Sequence, residues 1–247
     1  MAGYMMKIGV YGLGRFGFFW AELLSRHFRV MGFSRNPERK CPETVMRVKE
    51  QEVLQCPVIF LCCSISAIEE VVKRIAPQLS PGTLVLDTCS VKVFPVKVME
   101  EYLPEEVQII ATHPMFGPDS AKKGIGGLPV IISPVRAKPE KVKYWSGFFT
   151  SIGLKTVFMT PDEHDHKAAY TQGITHYVGR VLADLNLAGS EIATIGYSKL
   201  LEIMEQTCND PWQLFLDLQL YNPYTKEMRV RLHQSLERIF KILEGEQ

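Results

Sequence analysis

Three sets of residues have types and spacings that could do chemistry. In "GLGRFG", Gly12, Gly14 and Gly17 stand in G-x-G-x-x-G spacing, with Leu13, Arg15 and Phe16 between them. Glycines so placed permit a tight turn, a close backbone approach to a pyrophosphate and close helix packing, and an apolar run precedes them. About 20 residues on, where a domain built for NAD puts an acidic residue on the ribose 2′-hydroxyl, the chain has Ser34 and Arg35. A carboxylate would repel a 2′-phosphate, whereas a hydroxyl and a guanidinium bind one through charge-assisted hydrogen bonds, so the expected cofactor is NADP. The third set follows later apolar runs: Cys63 and Ser64 in "CCSIS", Ser90 in "DTCSVK" and His113 in "THPMFGPDS". Ser64 reads either as a nucleotide contact or as a helix N-cap. His113 reads either as a general base near neutral pH, taking a hydroxyl proton while hydride leaves the same carbon, or as a loop histidine held by its turn.

The elements that must position these groups alternate in type. Apolar runs at 7 to 12, 29 to 34, 57 to 63, 83 to 87, 107 to 113, 128 to 133 and 155 to 159 predict buried strands, with helical stretches between several of them. That is an α/β domain, a mostly parallel Rossmann-type sheet with helices on both faces, over 1–159. Ligands of such sheets lie outside the carboxyl ends of the strands, and Pro114 is expected to stop its strand at His113, placing His113 and Ser90 at that edge.

From Thr160 the strand pattern gives way to helices, so 160–247 is expected to be a smaller all-helical domain. "TPDE" predicts a helix start with a capping box from Thr160 to Glu163 and proline at the first helical position. Along that helix Tyr170, Ile174, Tyr177, Val178, Val181 and Leu185 form an apolar stripe, and Gln172, His176 and Arg180 recur every four residues on another side. His164 and His166 diverge on a helix and read as a solvated helix start; no metal site is expected. Asp210 in "NDPWQ" reads as an N-cap before a proline. The terminal helix carries Leu232, Leu236, Ile239, Phe240 and Leu243 on one side. So much apolar surface in so short a domain suggests a homodimer formed through it.

Composition narrows the partners. With 247 residues, 46% of them hydrophobic, and a formal net charge of +1, the chain has no basic footprint for nucleic acid or a membrane surface. A small-molecule substrate is expected instead. Six cysteines without C-x-x-C spacing read as thiols of a reducing compartment. No apolar stretch approaches a membrane span and no signal or transit segment precedes the first strand, which suggests the cytoplasm, or the plastid stroma if a transit peptide precedes this sequence.

"DTCSVK", "THPMFGPDS", "DEHDHKAAYTQGITHYVGRVL" and "GYSKLLEIMEQTCNDPWQLFLDLQLYN", in that order, resemble the TyrA family of prephenate and arogenate dehydrogenases, and most closely its plant-type arogenate members. The resemblance implies NADP-dependent oxidative decarboxylation of a cyclohexadienol, arogenate or prephenate, to a phenol in tyrosine biosynthesis. It implies His113 as acceptor of the hydroxyl proton, Ser90 as the group orienting that hydroxyl, and substrate contacts from Ser120, Gln172 and His176. It also gives Asp210 a role, since this position is acidic in arogenate enzymes and asparagine in prephenate-preferring relatives. A carboxylate attracts the ammonium of arogenate and repels the keto acid end of prephenate. The sequence departs from bacterial relatives in lacking their arginine for the ring carboxylate, which leaves Lys92, Arg180 or a residue of a partner subunit as candidates.

Overall fold

The computed structural model describes residues 5–245; residues 1–4, part of the stretch read as leaderless, lie outside the described residues. The chain forms two compact units, one ending at Pro161 and the other beginning at Asp162.

The first unit is built on one eight-stranded sheet in the order β3-β2-β1-β4-β5-β6-β7-β8. Its strands are β1 Lys7–Tyr11, β2 Arg29–Phe33, β3 Met46–Arg47, β4 Val58–Leu61, β5 Leu84–Asp87, β6 Gln108–Pro114, β7 Pro129–Arg136 and β8 Lys155–Phe158. Strands β1 to β6 are parallel, β7 reverses against β6, and β8 runs parallel to β7. Every residue of β4 and β5 is buried, as continuous apolar runs require when helices cover both faces. Those helices are α1 Arg15–Ser25, α2 Glu50–Leu54, α3 Ile68–Ile75, α4 Val93–Tyr102 and α5 Pro139–Ser151. Trp20 of α1 meets Phe60 of β4 and Phe149 of α5 at ring-centroid distances of 5.9 and 6.0 Å, so these two helices share one face of the sheet. Two-residue β3 at the edge gave no periodic signal.

Strand β6 does not stop at His113. It runs through Pro114, which lies opposite Val130 of the antiparallel β7. The reason lies on the other side of β6. The Thr112 N–H points to Asp87 at the end of β5, so the Pro114 nitrogen, two residues on, points past the end of β5, where no ladder donor is needed.

The second unit is helical: α6 Pro161–Ala168, which starts one residue before the unit boundary, a π-helical turn Ala169–Gly173, α7 Ile174–Asp184, α8 Ile195–Cys208, α9 Trp212–Tyr221 and α10 Thr225–Leu243. Here the apolar stripe read from the sequence is not the buried face. His176 and Gly179 are the buried residues of α7, while Val181 and Leu185 of the apolar stripe are exposed. The π turn inserts a residue into the helical period, so a stripe drawn at 3.6 residues per turn from Tyr170 loses its face by Val181. Gly179 then fixes the inward side, because a Cβ there would lie 2.1 Å from Thr207 Oγ1 on α8. His164 is buried and hydrogen-bonded to Asp165 at 2.8 Å rather than solvated.

Candidate active site

The glycine turn joins β1 to α1 where the sheet changes direction, with β2 on one side of β1 and β4 on the other. Gly12 has φ +107°, and a Cβ on it would lie 2.6 Å from the Cys62 carbonyl oxygen. On Gly17 a Cβ would lie 1.8 Å from the Gly12 carbonyl oxygen. Gly14, the N-cap of α1, has nothing within 4 Å of its Cβ position, and neither a capping side chain nor an acidic residue occupies the first turn. Two glycines thus let the turn close on itself, and the third leaves bare backbone at a positive helix end. That cradle fits a dinucleotide pyrophosphate.

Leu13 is buried beneath the turn against the sheet, and Phe16 stacks on Trp20 at 5.6 Å, so both anchor the cradle. Arg15 pairs with Asp119 in the loop after His113, a tie across 104 residues that no local pattern signals. Ser34 and exposed Arg35 follow β2, and the Arg35 guanidinium donates to Glu70 of α3 at 2.7 Å. Ser64 precedes the 3-10 turn Ile65–Ala67 and makes no side-chain cap bond. The Cys63 thiol is pushed up to about 12 by desolvation and stays protonated at neutral pH.

At the neighbouring strand ends a buried ion pair holds the backbone around Ser90 and His113. The Asp87 carboxylate accepts from the Cys89 N–H at 3.0 Å and the Thr112 N–H at 3.1 Å. Lys92, fully buried, donates to Asp87 and to the Thr112 carbonyl at 2.6 Å. The residues just before Ser90 and His113 are therefore gripped by one carboxylate. Half-buried Ser90 follows that clamp, and buried His113 lies opposite Ile131. This placement corrects Lys92 as a ring-carboxylate candidate: its ammonium is already committed. Asp87 was missed because it reads as the polar end of "TLVLD"; its early position in "DTCSVK" was the available signal. The Ser120 hydroxyl closes a turn in the loop after His113, accepting from the Gly117 N–H at 3.1 Å.

In the second unit Gln172, His176 and Arg180 converge on the inner side of the helical run. Gln172 Oε1, His176 Nδ1 and Arg180 Nε are buried without a hydrogen-bond partner. One Arg180 nitrogen donates to the carbonyls of Thr207 at 3.1 Å and Asp210 at 2.7 Å, and the guanidinium lies over the Trp212 ring at 5.0 Å. Asp210 Oδ2 stands 3.9 Å from His176 Nε2. The N-cap position of α9 falls at Pro211, one residue after Asp210. Burial, then the nearby Arg180 charge, lowers the His176 pKa from the ordinary 6.5 to about 4, so this imidazole is neutral at pH 7. Uncapped buried donors and acceptors carry a desolvation penalty unless a ligand satisfies them.

Among the described residues there is no cluster of three or more potential metal ligands, and no helix is long and apolar enough to cross a membrane. Residues 24–170 match the family model described as prephenate dehydrogenase, nucleotide-binding domain, and residues 181–247 match one described as TYRAAT1-like, C-terminal domain. Arogenate dehydrogenase 2, chloroplastic, of Arabidopsis thaliana is 36% identical, the alignment covering 97% of this chain and 70% of that protein. For arogenate dehydrogenase 1, chloroplastic, of the same plant the figures are 35%, 95% and 39%, so this chain spans well under half of it. The fold is that of prephenate dehydrogenase from A. aeolicus, solved with hydroxyphenyl propionate and NAD+ (TM-score 0.78, 18% identity, 100% of this chain and 93% of that one). Synechocystis arogenate dehydrogenase is similar in the same way (TM-score 0.70, 21% identity, 98% and 93%).

Proposed function

The chain belongs to the prephenate dehydrogenase family, and from that premise we propose that it converts arogenate to tyrosine and CO2 with NADP as oxidant. The observation that carries the choice of arogenate is the buried polar set of the second unit: a carboxylate, Asp210, beside three polar side chains whose Gln172 Oε1, His176 Nδ1 and Arg180 Nε have no partner. A substrate bearing both an ammonium and carboxylates satisfies such a set. Asp210 attracts the ammonium, and neutral His176 with Gln172 and Arg180 supplies donors and acceptors around it. The keto acid of prephenate has no cation to offer Asp210.

The glycine cradle of residues 12 to 17 would hold the cofactor pyrophosphate, Ser34 and Arg35 would receive the adenosine ribose and its 2′-phosphate, and Cys63 and Ser64 at the end of β4 would contribute further nucleotide contacts. When bound, NADP would supply the acceptor for the hydride leaving the substrate carbon that bears the hydroxyl. His113 accepts the proton of that hydroxyl, and Ser90 fixes the hydroxyl's direction. The bond to the ring carboxylate breaks, its electrons complete the aromatic ring, and CO2 leaves. Asp87 and Lys92 hold both residues in register for this step.

The exposed apolar residues of the second unit support a homodimer formed through it. Leu236, Ile239, Phe240 and Leu243 on α10 are exposed by 56% to 78%, and Ile192 and Ile195 by 80% or more. The test of the reaction is stoichiometry. Supplied with arogenate and NADP, the protein should yield one tyrosine, one CO2 and one NADPH per turnover. Lack of turnover with both arogenate and prephenate would refute it.

A further inference from the structure

Arg35 is not alone at the end of β2. Its guanidinium donates to Glu70 Oε1 at 2.7 Å, and the same oxygen accepts from Arg74, one turn along α3, at 3.3 Å. Arg74 is held on its other side by Glu50 Oε1 at 3.2 Å and by the hydroxyl of Tyr11, the residue just before the glycine turn. Two guanidiniums thus meet at one carboxylate oxygen, next to the strand end where this type of sheet receives the adenosine ribose. The three partners differ in mobility. The Glu70 side chain is 64% exposed and its ion pairs are of the weak, exchangeable surface kind, whereas Arg74 is 32% exposed and braced at its back.

We propose that Glu70 and Arg74 together with Arg35 set the choice between a ribose 2′-phosphate and a free 2′-hydroxyl. The inference rests on the NADP reading above and adds two residues of α3 to it. A 2′-phosphate brings nearly two negative charges and three acceptor oxygens to the place where a single Glu70 oxygen now bridges both arginines. It displaces Glu70 and takes Arg35 and Arg74 together. With a free 2′-hydroxyl, Glu70 stays and accepts the hydroxyl hydrogen, doing from α3 what an acidic residue at the end of β2 does in NAD-specific domains. Glu70 is therefore a competitor of the phosphate and a partner of the hydroxyl, and Arg74 is a partner of the phosphate.

Calorimetric titration with adenosine 2′,5′-bisphosphate and with adenosine 5′-monophosphate, at fixed ionic strength, isolates the 2′-phosphate without turnover. In Arg74→Gln the bisphosphate should bind about tenfold more weakly and the monophosphate as before. In Glu70→Gln the bisphosphate should bind about threefold to tenfold more tightly, while the monophosphate weakens. Glu70→Gln removes an exposed charge and leaves the Tyr11–Glu50–Arg74 contacts in place, so it decides the matter even if Arg74→Gln does not fold. A wild-type preference for the bisphosphate that Glu70→Gln leaves unchanged or reduces would overturn the inference. Equal affinity of wild type for the two nucleotides would instead overturn the NADP reading on which it rests.

Discussion

At the scale of single residues, two histidines with opposite duties carry the account. His113 near the end of β6 is the proposed proton acceptor, so His113→Ala should lower kcat about 100-fold or more with little change in KM. An unchanged kcat would remove His113 from the chemistry. His176 is kept neutral by burial, its pKa lowered to about 4 against an ordinary 6.5. The unfolded chain binds that proton at higher pH than the folded one, so this residue's contribution to stability is intact above about pH 6.5 and is lost as pH falls toward 4. Between pH 7 and 5 it should amount to about 2 kcal/mol. Denaturant titrations of wild type and His176→Gln at both pH values measure it: the wild type should lose more stability than the variant, and parallel losses would show that His176 is solvated. The position of His113 was legible from "THPMFGP", where a strand meets a proline; the burial of His176 was not, because the neighbouring apolar stripe was the one expected to face inward.

At the scale of elements, a buried ion pair ties the ends of β5 and β6 together. Lys92→Met leaves Asp87 buried without its cation and should destabilise the protein by about 3–5 kcal/mol, whereas the double substitution Asp87→Leu/Lys92→Met removes both charges and should recover much of that loss. Equal destabilisation by the single and double substitutions in denaturant would mean that the backbone bonds of Asp87, not the charge pair, hold the joint. The strands themselves could be read in advance because sheets buried on both faces leave continuous apolar runs, as "VIFL" and "LVLD" do. The α7 faces could not be read so, since the π turn at Ala169–Gly173 shifts the helical period and leaves no compositional mark. Gly179 was the overlooked clue: a glycine within a helical pattern marks a close approach, here by Thr207. Contacts made by residues far apart in sequence, Arg15 to Asp119 and Arg35 to Glu70, have no local signature at all.

At the scale of the whole molecule, the two units divide the work proposed for them: the first supplies the nucleotide cradle and the proton acceptor, the second the polar set that selects the substrate. If the apolar side of α10 is covered by a second copy, Leu236→Glu/Phe240→Glu should sediment as a monomer where the wild type sediments as a dimer; a wild-type monomer would contradict that assembly. The claim that ties the chemistry to this chain in particular is the preference proposed for Asp210, whose carboxylate stands 3.9 Å from His176 Nε2. It is tested most directly by initial rates of NADPH formation with arogenate and with prephenate, for wild type and Asp210→Asn. The account predicts that wild type prefers arogenate and that the substitution moves the ratio of kcat/KM values at least tenfold toward prephenate, about the effect of one charge-assisted contact. A wild-type preference for prephenate, or a ratio that Asp210→Asn leaves unchanged, would contradict it.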